Sequence, residues 1–245
     1  MLRTFIAFVK FCAYLVGTLP KERKALKLDR EGNVAERDLL VIEGVGDWAR
    51  YVIRIAGGTV EVVGQELIPA DTAVVFVGNH QGNMDIPLLL GFIDKPKAFI
   101  SKIEILKVPI LSGWMKLMQC TFMDRKDMRQ SVRAMHEAVE TVKKGYSLVI
   151  FPEGTRSKGG PVGEFKAGSF KLALKSGVPI VPLTIDGSWR LLEEKGRLQD
   201  ATIKVTIHPS IPTANLTREE SAALPEKVRG IIMGSLPASA IRSIC

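Results

Sequence analysis

Ala73-Val74-Val75-Phe76-Val77-Gly78-Asn79-His80-Gln81-Gly82-Asn83-Met84-Asp85 changes character in mid-course: an apolar run rich in β-branched residues gives way to glycines and polar groups. The first part reads as a buried strand that ends in a turn. The second part carries His80 and Asp85, which on a continuous helix would lie about 140° apart and on different faces. His80 is therefore expected on the turn between this strand and a following helix. There it can fold back so that the Asp85 carboxylate accepts from one ring nitrogen. The other nitrogen is then fixed as a proton acceptor, the geometry of a general base acting on an alcohol. No Gly-x-Ser-x-Gly elbow occurs anywhere in the chain, so no protein nucleophile is indicated and the alcohol itself would attack.

Outward from this stretch, short β-branched runs alternate with helical segments. Strands are predicted at 59–63, 73–77, 98–100, 120–123, 148–151, 180–185 and 202–207. The clearest helix is 130–144, with Val132, Met135, Val139 and Val142 on one face and Gly145 as its stop. Another should start at Thr217, where Glu220 completes a capping box. The alternation predicts an α/β layered fold in a chain of 245 residues, with residues 1–58 a helical appendage and 59–245 the catalytic domain.

In the appendage, residues 5–19 are apolar apart from Lys10 and are followed by Lys21, Arg23, Lys24 and Lys27. The stretch is shorter than the roughly 20 residues of a spanning helix, and no small-x-small cleavage site follows it. A helix lying in or partly entering a bilayer, with the cations at headgroup level, accounts for both features. Residues 34–56 carry a second apolar stripe, Leu40, Val41, Val45, Trp48, Ala49, Val52, Ile55 and Ala56, fitted either to a membrane or to the catalytic core. The formal net charge of +8 calls for anionic partners. Scattered cations and 7% aromatic residues argue against nucleic acid. Three unpaired cysteines, Cys12, Cys120 and Cys245, and three dispersed histidines give neither a disulfide framework nor a metal site. His136 and His208 read as solvated or structural.

A second constellation, Phe151-Pro152-Glu153-Gly154-Thr155-Arg156-Ser157, follows another apolar strand, where α/β sheets place ligand contacts. Its glycine, planar guanidinium and hydroxyls suit phosphate oxygens. Asp124-Arg125 and Ser101-Lys102 bring cations to two further strand ends.

These blocks, with Phe122-Met123-Asp124-Arg125 and Val178-Pro179-Ile180-Val181-Pro182-Leu183, resemble in order and spacing the four-block signature of the 1-acylglycerol-3-phosphate O-acyltransferases. The resemblance runs from about residue 73 to 186. It implies a mixed central sheet flanked by helices and an N-terminal membrane-docking segment; a cytosolic acyl donor and the free cysteines point to the cytoplasmic face of the cell's inner membrane. It implies acyl transfer from acyl carrier protein or coenzyme A to the 2-hydroxyl of lysophosphatidic acid, without a cofactor. His80 would be the base and Asp85 its orienting partner. Arg125, Glu153, Gly154, Thr155 and Arg156, with Lys102, would hold the glycerol phosphate, and the block centred on Pro182 would shape the acyl-donor region. Backbone amides near the first turn would stabilise the oxyanion. Gly82 stands where the first block usually has Ser, and Met123 where the second has Ile or Val. Both bear on acceptor or acyl-chain preference, and another lysophospholipid or a lyso-amino-acid lipid is the alternative acceptor.

Two rival readings compete. Gly44-Val45-Gly46-Asp47-Trp48-Ala49 matches the Gly-x-Gly-x-x-Ala dinucleotide pattern, although Asp47 and Trp48 would crowd a pyrophosphate. A lipid-binding protein without turnover would keep the phosphate site but would not need an aligned His80 and Asp85.

Overall fold

A computed structural model of the chain describes residues 1–124 and 126–237. Strands β1 (Gly58–Val63), β2 (Val75–Gly78), β3 (Lys97–Lys102), β4 (Thr121–Met123), β5 (Ser147–Ile150), β6 (Ile180–Asp186) and β7 (Ala201–Ile207) form one sheet, in the order β1-β7-β6-β2-β5-β3-β4. Pairing is parallel throughout except between β6 and β7, so the sheet is mixed as expected. The seven predicted strands are all present, with ends shifted by no more than two residues.

Burial explains why some strands read as continuous apolar runs and others alternate. β2 and β5 are central and buried on both faces, so every residue of Val75–Gly78 and Ser147–Ile150 is buried. β1 lies at an edge, and its side chains alternate between half-buried and exposed. Pro182 sits inside β6 at the point where the β7 ladder begins, since β7 pairs only from Leu183 to Asp186. A residue without an N–H fits there at no cost in ladder bonds on that side.

The helices fall into two groups. α1 (Leu2–Gly17), α2 (Leu19–Arg30), α3 (Val34–Ala56), α4 (Asp85–Phe92) and α5 (Pro109–Leu117) pack on one another, and α3 meets β1. α6 (Met128–Lys143), α7 (Ala167–Ser176) and α8 (Arg218–Gly234) pack together and against β4, β5 and β6. The Thr217 and Glu220 capping box is formed. On α6 the buried stripe is Ala134, Ala138, Val139 and Val142, while Val132 is half exposed. The small alanines let the helix approach the sheet; Val139 and Val142 of the predicted stripe lie in that contact and Met135 packs at its margin, while Val132 turns outward.

α2, which in the sequence shows only as a basic run, is a helix. It buries Glu22, Ala25 and Leu28 between α3 and α5, with its lysines outward. The dinucleotide pattern is overturned: Gly44 and Gly46 lie inside the continuous helix α3. A Cβ on Gly44 would stand 3.1 Å from the Trp114 ring, so that glycine serves close helix packing.

α4 ends on a buried cation. The Lys97 ammonium donates to the carbonyls of Leu89 and Ile93, each at 2.9 Å, satisfying groups that a helix C-terminus leaves unpaired. Burial nevertheless pulls Lys97 down to about 7 from an ordinary 10.5, with Asp94 opposing. Between those values the folded chain binds fewer protons than the unfolded one, so the Lys97 contribution grows as pH rises and is lost as pH falls through 7. Lys97→Met, which orphans two carbonyls, is expected to cost about 2 kcal/mol near neutrality. The advantage of the wild type should widen toward pH 10 in denaturant unfolding, and a margin independent of pH would refute this account.

Candidate active site

The parallel strands β2, β5, β3 and β4 deliver their carboxyl ends to one edge of the sheet, and the motifs lie there. β2 ends at Gly78 and α4 begins at Asp85, so His80 lies on the connecting turn before the helix, as its spacing requires. Asn79 and Gln81 tie this turn to the end of β6. The Asn79 amide donates to the Ile185 carbonyl and accepts from the Ile185 N–H, both at 2.8 Å, and Gln81 Oε1 accepts from Gly187 N–H at 2.9 Å. The middle residue, His80, is thereby turned the other way, its ring stacked on Phe151 with centroids 4.1 Å apart.

His80 Nδ1 lies 2.6 Å from Asp85 Oδ2. The same oxygen accepts the N–H groups of Gln81 at 2.7 Å and Gly82 at 3.0 Å, and Oδ1 accepts from the Ser188 hydroxyl. Asp85 is fully buried, while the His80 side chain keeps 19% of its surface exposed. Because Asp85 accepts in every one of these contacts, the shared proton belongs on Nδ1. Nε2, which makes no hydrogen bond among the described residues, is left with a lone pair.

Glu153 lies beneath the turn. Its carboxylate accepts from His80 N–H at 2.7 Å and Gly163 N–H at 2.9 Å, and burial raises its pKa while those amides and His80 oppose the shift. Both of its oxygens are committed to backbone, so Glu153 acts as a brace between two loops. Two backbone bonds, Ser157 N–H to the His80 carbonyl at 2.8 Å and Lys158 N–H to that of Gln81 at 3.0 Å, zip the second motif to the first. Asn83 N–H donates to Glu193 at 2.7 Å. The amides of residues 80–83 are therefore all spent on carboxylates, and the expectation that they stabilise an oxyanion is corrected for this arrangement.

Arg156 donates to Asn83 Oδ1 and sits 3.9 Å from Glu193, with 37% of its side chain exposed. Thr155 and Lys102 are exposed. Gly154 adopts a φ of +71°, and the place a Cβ would take lies 2.9 Å from Lys166 Nζ. Arg125 lies outside the described residues. Lys166, Ser188 and Glu193 meet the motifs only through the fold, and nothing in their local sequence marks them. His208 is structural, within 2.8 Å of Thr184 Oγ1 with its pKa lowered by burial, and His136 is exposed on α6.

Beside α4, a cavity of about 450 Å³ is walled by α1, α3, α5 and β3. Phe11, Leu15, Trp48, Ile86, Leu90 and Trp114 are among its lining, as is Asn83 of the His80 turn. No residue of the Pro182 block lines it; Ile180 to Leu183 are buried in the sheet as part of β6.

The sequence profile of the acyltransferase family matches residues 59–186. A chloroplastic 1-acyl-sn-glycerol-3-phosphate acyltransferase of Brassica napus is 40% identical over 154 residues, 62% of this chain and 44% of that protein. A probable 1-acyl-sn-glycerol-3-phosphate acyltransferase of Mycoplasma pneumoniae is 41% identical over 61% of this chain and 58% of its own. The chain thus spans about half the length of these two relatives. A 1-acyl-sn-glycerol-3-phosphate acyltransferase of Borreliella burgdorferi is 30% identical over 74% of this chain and 73% of its own. The crystal structure of the 1-acyl-sn-glycerophosphate acyltransferase from Thermotoga maritima superposes with a TM-score of 0.72 at 27% identity, covering 92% of this chain and 94% of that one. With the profile spanning more than half of its length and the same fold around the motifs, this chain belongs to the acyltransferase family that includes the 1-acyl-sn-glycerol-3-phosphate acyltransferases.

Proposed function

We propose that the chain transfers a fatty acyl group from an acyl thioester, carried by acyl carrier protein or coenzyme A, to the 2-hydroxyl of 1-acyl-glycerol-3-phosphate, giving phosphatidic acid. The observation that carries this reading is the 2.6 Å contact of His80 Nδ1 with buried Asp85, which leaves Nε2 as the proton acceptor. Nε2 takes the hydroxyl proton as the oxygen attacks the thioester carbonyl. The carbon–sulfur bond then breaks, and the imidazolium returns the proton to the departing thiolate. Asp85 orients the ring and balances the charge that appears on it. Lys102, Arg125, Gly154, Thr155 and Arg156 hold the phosphate, and Lys166 joins them. Glu153 serves the same site by fixing the His80 backbone.

The apolar cavity beside α4 takes an acyl chain, with Asn83 between it and the turn. The helical stretch Leu2–Arg30 holds an 18-residue apolar window with a mean hydropathy of 1.5, 11% of which is buried. Leu2, Phe5, Phe8 and Val16 of α1 are exposed. This exposed apolar helix points to membrane association. We assign residues 1–58 to docking on the cytoplasmic side, where the basic face of α2 meets anionic headgroups, and 59–245 to catalysis.

Thiol release from an acyl thioester, measured with purified protein in detergent, should require lysophosphatidic acid and fall by about 10²- to 10⁴-fold in His80→Ala. Release with another lysolipid alone would keep the chemistry and change the acceptor; no release from folded protein would sink the enzyme reading. Leu90→Trp, which fills the cavity, should shift preference toward shorter acyl donors, and an unchanged chain-length profile would remove the cavity from the reaction.

A further inference from the structure

Glu193 follows the short 3-10 turn Ser188–Leu191, far in sequence from both motifs, yet its side chain reaches between them. That side chain is only 6% exposed. Oε1 accepts from Asn83 N–H at 2.7 Å and stands 3.9 Å from the Arg156 guanidinium, which donates in turn to the Asn83 side chain. Asn83 is thus gripped through its backbone by Glu193 and through its side chain by Arg156. The second oxygen, Oε2, is buried with no hydrogen-bond partner among the described residues. Leaving a buried carboxylate oxygen unpaired is costly, so a carboxylate is a poor choice at this position for packing alone. The space it fills exists because residue 82 is glycine: a Cβ there would stand 2.6 Å from Oε2.

We propose that Glu193 is a positioning residue that locks Arg156 to the His80 turn, and that Gly82 is the vacancy it occupies. This rests on the phosphate-binding role proposed for Arg156. Glu193 acts through its neighbours and need not touch either substrate. Its bond to Asn83 N–H fixes the residue that orients the guanidinium, and its charge holds the guanidinium against the turn. The distance between the phosphate anchor and the base is then set from behind the site. The departure at Gly82 and the carboxylate at Glu193 are one device, in which the missing side chain of one residue makes room for that of the other.

The test is a mutant cycle with kcat and KM for lysophosphatidic acid read in the thiol-release assay, alongside thermal unfolding of each protein. Glu193→Ala should raise KM about tenfold, with kcat changed by less than about threefold. Glu193→Gln should recover only the part of the loss due to the bond from Asn83 N–H, since its carbonyl can still accept there but carries no charge to hold the guanidinium. Gly82→Ala should reproduce the Glu193→Ala phenotype by displacing the carboxylate. In an Arg156→Ala background, Glu193→Ala should add nothing further. An unchanged KM in Glu193→Ala, or the same penalty with and without Arg156, would overturn the proposal while leaving the function intact. An Arg156→Ala protein with normal KM would instead refute the phosphate role of Arg156 and the inference with it.

Discussion

Every backbone N–H from His80 to Asn83 ends on a buried carboxylate: Glu153 takes the first, Asp85 the next two and Glu193 the last. A turn of this kind would ordinarily be held by water and be free to sample other shapes. Here it is clamped by charge-assisted bonds inside the protein, the stronger class of hydrogen bond. Burying three carboxylates together is unfavourable unless each is well satisfied, and the four amides supply most of that satisfaction. The imidazole is therefore oriented by a rigid frame, and Asp85 is one member of that frame as well as the partner of His80.

The frame also explains how two motifs separated by some seventy residues can act as one site. β2 and β5 are adjacent and parallel, in the register Val77 to Ile150, so the residues that follow them leave the sheet side by side. The bonds from Ser157 and Lys158 back to His80 and Gln81 continue that pairing beyond the ladder. Pro152, which has no N–H, falls at the break, where its carbonyl accepts from Lys166 N–H at 3.2 Å. The turn thus gives the polar residues after β5 a fixed height relative to His80.

Much of this was legible in the chain. Apolar runs marked the strands because central strands are buried on both faces, and the five-residue spacing of His80 and Asp85 excluded a shared helix. The capping box at Thr217 is a local signal, legible from Thr217 and Glu220 alone. What escaped depends on tertiary packing. Ser188, Glu193 and Lys166 reach the site from loops whose neighbours in sequence say nothing about it. Glu153 could be placed in a motif but not assigned its partners, because those partners are amides of another segment. The glycines of α3 imitated a nucleotide fingerprint, since a helix that must admit an aromatic ring and a loop that must admit a pyrophosphate both need a missing side chain. α2 was overlooked because its apolar residues are few, although its lysines and its Glu22 are ordinary helix formers.

α1 has two unlike faces. Phe5 and Phe8 look outward, while Phe11 and Leu15 look inward and form part of the wall of the cavity beside α4. Arg3, at its start, is bonded to the Ala56 carbonyl and to Asp200, so the helix is fastened to the body at both the cavity and the sheet. A shortened version made to improve solubility would lose a side of its own interior along with its greasy exterior. Whatever such a fragment accepts or rejects would describe an opened vessel, and its selectivity could not be carried back to the intact chain.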